Sequence, residues 1–148
     1  MKIVNEVMPS DPKQIEQMMA PGPDGPIFMV NLLKFKEKAE YEDGRETDLT
    51  GREAYMLYGE GVMKLLPKYD GRVIFTGDVT FLALGQADDI WDEVAIAMYP
   101  NRKALFDMSS SKEWREAAVH RTAGLEGQLN IETVSPMSGM IANLLNPA

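Results

Sequence analysis

The sequence has no cysteine at all. That removes disulfides, thiol catalysis and cysteine-ligated metals together. It has one histidine, His120. With no cysteine beside it, a structural zinc site is not expected. No apolar run approaches the roughly 18 residues that a membrane span needs. The opening MKIVNEVMPSDP has neither a long apolar core nor a small-residue cleavage site, so no signal peptide is expected and a cytoplasmic protein is the plain reading. Basic residues are in deficit, 15 against 23 acidic, for a net charge of −8. Such a chain repels nucleic acid and anionic membranes, and no basic stripe offsets this locally. Repeats and low-complexity segments are absent too.

What is present suits a globular protein. At 148 residues the length predicts one domain, able to bury roughly 70% of the unfolded chain's surface. The apolar share of 45% is ordinary. The core is expected over about 27–134, with an N-terminal arm and short helix over 1–26 and a C-terminal tail over 135–148. In that tail Met140, Ile141, Leu144 and Leu145 form a short apolar face.

Local signals order the elements. Asp11-Pro12 reads as a cap with proline at the first helical position. The run from Pro21 to Pro26 can be neither helix nor ladder strand. Ile27 to Phe35 (IFMVNLLKF) is apolar on both faces, so it needs cover on both. Residues 37–49 are charged and predict a surface loop. Thr50-Gly51-Arg52-Glu53 is a capping box. Behind it Tyr55, Tyr58, Val62, Leu65, Leu66 and Tyr69 recur at the spacing of one buried helix face. Arg72 to Leu84 predicts a long strand with Val73 and Phe75 on one side and Asp78 on the other. A hairpin leads to DEVAIAMY, which Pro100 ends. Asn101 caps a short helix, and a further capping box at Ser110–Glu113 opens a second one that runs to about Arg121. Gly124 is read as its C-terminal cap. Gln128 to Val134 is the last strand.

The order β-α-β-β-α-β predicts an α+β fold: a ferredoxin-like unit with a four-stranded antiparallel sheet and helices on one face. The helices cover one face only, yet the strands are apolar on both. A second copy is the economical cover, which gives a homodimeric α/β barrel. Val94, Ile96 and Met98 are expected to meet the helices. Ala95 and Ala97 are then expected to leave room for a cavity between the two sheets; the alternative is that the alanines lie under the helices.

The segments MVNLLKF, GREAY, DGRVIFTGD, WDEVAIAMYP and VHRTAGLEGQ, in that order and spacing, resemble the uncharacterised family called domain of unknown function 1330. The resemblance spans about residues 27–134. It implies the dimeric α/β-barrel superfamily and no particular activity. Relatives in that superfamily include cofactor-free monooxygenases, lactone isomerases and haem-binding enzymes, so the fold alone does not choose a reaction.

Three side chains are candidate catalytic groups. His120 titrates near neutrality and suits a general acid or base. The competing reading is a helix C-terminal His-Arg pair on the last carbonyls. Asn31 interrupts an apolar strand and must find partners; either it orients a substrate carbonyl or it ties down a neighbouring loop. Asp78, between Thr76 and Thr80, is a base if buried and a turn residue if exposed. Arg121, Tyr58 and Trp91 are candidates to bind substrate: Arg121 for an anionic group, Tyr58 and Trp91 to shape the site. Tyr58 otherwise simply packs, as Tyr55 does.

Other features read more plainly. Lys34 suits a carboxylate partner or the surface. Asp88, Asp89, Asp92 and Glu93 match no calcium loop. Gly59-Glu60-Gly61 lies within a helix and is no dinucleotide fingerprint. The eleven methionines suit packing. The functional expectation is a homodimer that binds a small, partly apolar molecule, needs no cofactor or metal, and acts by acid–base, monooxygenase or isomerase chemistry. A non-catalytic binding or structural dimer is the alternative.

Overall fold

The computed structural model describes residues 4–135. The tail residues from Met140 to Leu145 lie outside them. The elements are α1 (Pro12–Met19), β1 (Ile27–Phe35), α2 (Gly51–Leu65), β2 (Arg72–Asp78), β3 (Glu93–Tyr99), α3 (Arg102–Ser109), α4 (Lys112–Gly124) and β4 (Leu125–Thr133). The strands form one antiparallel sheet in the order β2-β3-β1-β4. That order, with helical connections after β1 and β3, is the ferredoxin-like fold. Among the described residues no helix is long and apolar enough to cross a membrane.

Caps start the helices where polar side chains can satisfy orphan N–H groups. Asp11 caps α1, Thr50 and Glu53 form a reciprocal capping box on α2, and Asn101 caps α3. On α4 the cap is Ser111, which accepts from the Trp114 N–H, not Ser110. The helix also runs on to Gly124. That glycine is no left-handed cap: it sits where α2 and α4 cross, and a Cβ there would strike the backbone of Gly51.

The core lies between the sheet and α2–α4. Ile27, Met29, Leu65, Leu66, Tyr99, Met108, Trp114 and Ala118 form it, with Val73 and Ala97 packed against it. Ala97 pairs with Met29, and Ala95 with Asn31. Both alanines therefore lie under the helices, and Val94, Ile96 and Met98 face the other way. This reverses the expected faces. The bulk comes from the helix side, from Tyr58, Trp114, Leu66 and Met108, and small strand residues leave room for it.

β2 departs from expectation as well. Its register shifts between Val73 and Phe75, so those two residues fall on opposite faces. The strand ends at Asp78, where β3 runs out of partners at Glu93. Phe81, Leu82 and Leu84 beyond it are exposed. The open face thus carries Val30 and Leu32 of β1, Phe75 of β2, Val94, Ile96 and Met98 of β3, and Leu129 and Ile131 of β4.

Candidate functional site

The charged loop after β1 does more than cover the surface. Ala39 and Tyr41 are buried against Ala54 of α2 and Ala123 of α4. Backbone bonds from Ala39 to Leu49 and from Glu40 to Ala123 hold it there. The Tyr41 hydroxyl lies 2.7 Å from His120 Nδ1, with the two rings edge to face. The Arg45 guanidinium stacks 4.4 Å above the Tyr41 ring. Partial burial, reinforced by the Arg45 charge, lowers the His120 pKa below its ordinary 6.5. A neutral ring can accept the Tyr41 proton at Nδ1 and keep its own hydrogen on Nε2.

Tyr41 also lines a cleft of about 310 Å³. Trp114, Arg115, Ala118, Val119 and Thr122 of α4 line it, with Glu42 and Asp43 of the loop and Val7 of the N-terminal arm; Asp43 is itself paired with Arg45. Trp114 Nε1 donates to the Tyr58 hydroxyl at 3.2 Å. Burial raises the Tyr58 pKa, and the Trp114 hydrogen bond opposes that shift. Tyr58 thus stands behind the cleft wall, and Tyr55 stacks beside it against Phe35.

A second polar group lies under the helices. Asn31 accepts at Oδ1 from Gln128 Nε2 at 2.7 Å and donates from Nδ2 to the Ala95 and Met29 carbonyls. Gln128 Oε1 in turn accepts from Nε and Nη2 of Arg121. The Arg121 side chain is buried, and its remaining bonds go to Asn5 Oδ1 and the Glu6 carbonyl. The polar insert in β1 is therefore answered by one in β4 and one in α4.

The other candidates fall elsewhere. Asp78 is exposed at the sheet's edge, where Arg52 Nη1 donates to it at 2.7 Å and to Glu93 at 3.1 Å. Burial raises the Glu93 pKa, and the Arg52 charge opposes it. Trp91 is half-buried just before β3. Lys34 holds Asp89 at 3.1 Å and the Ile90 carbonyl. Among the described residues no group of three or more His, Asp or Glu side chains is placed to hold a metal.

The structure thus joins Asn31 to Arg121, and sets His120 beside Tyr41 and Tyr58 behind Trp114. It does not bring His120, Asn31 and Asp78 to one place. Tyr41, Asn5, Gln128 and Trp114 were missed in the sequence. Only Gln128, a polar residue starting an otherwise strand-like run, left a local signal.

The relatives are consistent with this architecture. A crystal structure of methylated RPA0582 is 33% identical and superposes with a TM-score of 0.77, over 90% of this chain and 98% of that one. A second crystal structure, of RPA0582 from Rhodopseudomonas palustris, described as a protein of unknown function, is 31% identical at a TM-score of 0.76, over 90% and 100%. The chain belongs to the RPA0582 family. A dimeric ferredoxin-like protein of unknown function from Bacteroides fragilis is far more distant, at 11% identity and a TM-score of 0.49 over 74% of this chain and 96% of that one. No family model matches the sequence, and no curated protein does.

Proposed function

We propose that this chain binds a small, partly apolar molecule in the cleft beside α4 and acts on it by cofactor-free acid–base chemistry. One observation carries the reading: Tyr41 lines the cleft, and its hydroxyl is 2.7 Å from the His120 imidazole, whose pKa burial and the Arg45 charge lower. A base works best when its pKa lies near the working pH and its partner is within hydrogen-bond reach. Here the phenol oxygen takes a proton from the ligand as its own passes to Nδ1. The products are an imidazolium and a ligand anion, and the return step restores both. His120 is then the base and Tyr41 the group that meets the ligand. Asn31 acts through Gln128 as a positioning residue. Asp78 and Trp91 enter only if the ligand reaches the sheet's edge.

The same proposal includes a homodimer built by packing two open sheet faces. Their apolar side chains, with Phe75 54% and Ile131 44% exposed, favour a partner. A single domain over the whole chain, membership of the domain of unknown function 1330 family and a cytoplasmic setting belong to it too.

Native mass spectrometry of freshly purified protein tests the reading, followed by denaturation to release anything bound. A dimer with a small molecule, lost on Tyr41→Phe and His120→Gln, is the expected result. A bound molecule that both variants keep unchanged would sink the acid–base assignment. An empty, ligand-indifferent dimer would favour a non-catalytic role.

A further inference from the structure

A buried charge normally has an opposite charge beside it, because an interior of low dielectric does not solvate it. Arg121 departs from that rule. It is 5% exposed, and its acceptors are all neutral: Gln128 Oε1, Asn5 Oδ1 and the Glu6 carbonyl. Among the described residues no carboxylate forms an ion pair with it.

Two of those three acceptors belong to the N-terminal arm before α1. Asn5 Oδ1 takes Nη1 at 3.0 Å and the Glu6 carbonyl takes Nη2 at 2.6 Å. They are two oxygens set on the end of the guanidinium, where a carboxylate places its own pair. Gln128 holds the other edge. The arm itself has no helix or strand over residues 4–10. It is tied by the Asn5 Nδ2 bonds to the Thr122 and Leu125 carbonyls and by the Gln128 N–H to the Val4 carbonyl. Val7 and Met8 beyond are 46% and 54% exposed.

The arm is also a wall of the cleft, through Val7. Trp114, Ala118 and Arg121 follow one another at helical spacing; the first two line the cleft, and the buried Arg121 lies about one turn further along α4, behind the arm. The geometry points to a carboxylate-binding site at Arg121, closed by the N-terminal arm, whose ligand is a monocarboxylate with an apolar body lying along Trp114 and Ala118. The inference rests on the cleft being a ligand site. A charged acceptor bonds a guanidinium more strongly than a neutral one, so a carboxylate displaces Asn5 and Glu6.

The test titrates the full chain with octanoate and with octanamide by calorimetry, in the wild type, Asn5→Gly and Asn5→Asp. Octanoate is expected to bind about tenfold more tightly than the amide. Asn5→Gly loosens the arm and tightens octanoate binding further. Asn5→Asp gives up the Nδ2 bonds to the Thr122 and Leu125 carbonyls but sets a carboxylate beside the guanidinium, so octanoate loses its advantage while octanamide binding persists. Equal binding of acid and amide in all three proteins would overturn the inference and leave the cleft standing: Arg121 would then only pin the arm. Binding of neither compound would overturn the cleft reading and the inference with it.

Discussion

Gln128 Nε2 donates to Asn31 Oδ1 at 2.7 Å while Gln128 Oε1 accepts from Arg121, so one amide joins a strand in the middle of the sheet to the helix above it. The remaining donors of Asn31 go to the Met29 and Ala95 carbonyls, and those of Arg121 to Asn5 Oδ1 and the Glu6 carbonyl. Such a network is stable when complete and costly when broken, because each member left alone keeps its desolvation and loses its partner.

Asn31→Ala should therefore destabilise the fold by about 1–3 kcal/mol, the range for orphaning a buried polar group. Gln128→Leu should do the same or more, since it strips Arg121 of the Gln128 Oε1 acceptor that its Nε and Nη2 share. The double substitution should cost less than the sum, with a coupling of roughly 0.5–3 kcal/mol. Urea denaturation of the four proteins measures this cycle. Additive effects would mean that the two amides act independently.

The His120 environment predicts a pH dependence of stability. Its pKa is lower in the folded chain than its ordinary 6.5, chiefly through burial and then through Arg45. The unfolded state therefore binds the proton first as pH falls. His120's contribution is constant above 6.5, turns destabilising as pH drops below it, and levels off below the folded value. Thermal unfolding of the wild type and His120→Gln between pH 8 and pH 5 should show the wild type losing more stability on acidification. Parallel curves would mean that the ring titrates alike in both states. An NMR titration of the His120 ring reads the same shift directly.

The elements marked by local chemistry were legible in the sequence. β1 needed only its apolar run and the proline-rich turn before it. α2 needed Thr50 and Glu53, whose side chains bond the backbone within three residues. The faces of β2 and β3 were not legible in the same way. A register shift at Val73–Phe75 cancels alternation beyond it, and a bulge of that kind is set by the neighbouring strand. Residue size misled for Ala95 and Ala97, because packing depends on the sum across the interface, and here the helices bring the volume. At the candidate site His120 and Arg121 were read together as one pair. Consecutive helical residues point about 100° apart. His120 accordingly meets Tyr41 of the long loop, while Arg121 turns to Gln128 and the arm. Those partners lie 79 and 116 residues away for Tyr41 and Asn5, a separation no local pattern records.

The reversal of faces on β3 gives the sharpest check of the whole architecture. Ile96 and Ala97 are neighbours in sequence and lie on opposite sides of the sheet. Ile96→Lys places a charge on the open face. A lone protomer tolerates it, because the long side chain reaches water, whereas a second sheet packed there does not. The expected result is a shift from dimer to monomer in sedimentation with the far-ultraviolet circular dichroism unchanged. Ala97→Leu instead overfills the core beside Met29 and Val73. Overpacking typically costs about 1–3 kcal/mol, so this variant should lose thermal stability and keep its oligomeric state until it unfolds. The opposite pattern would return the alanines to the open face, as residue size alone suggests. A wild-type chain that sediments as a monomer would remove the paired-sheet proposal but leave the stability contrast between the two variants as a test of the faces.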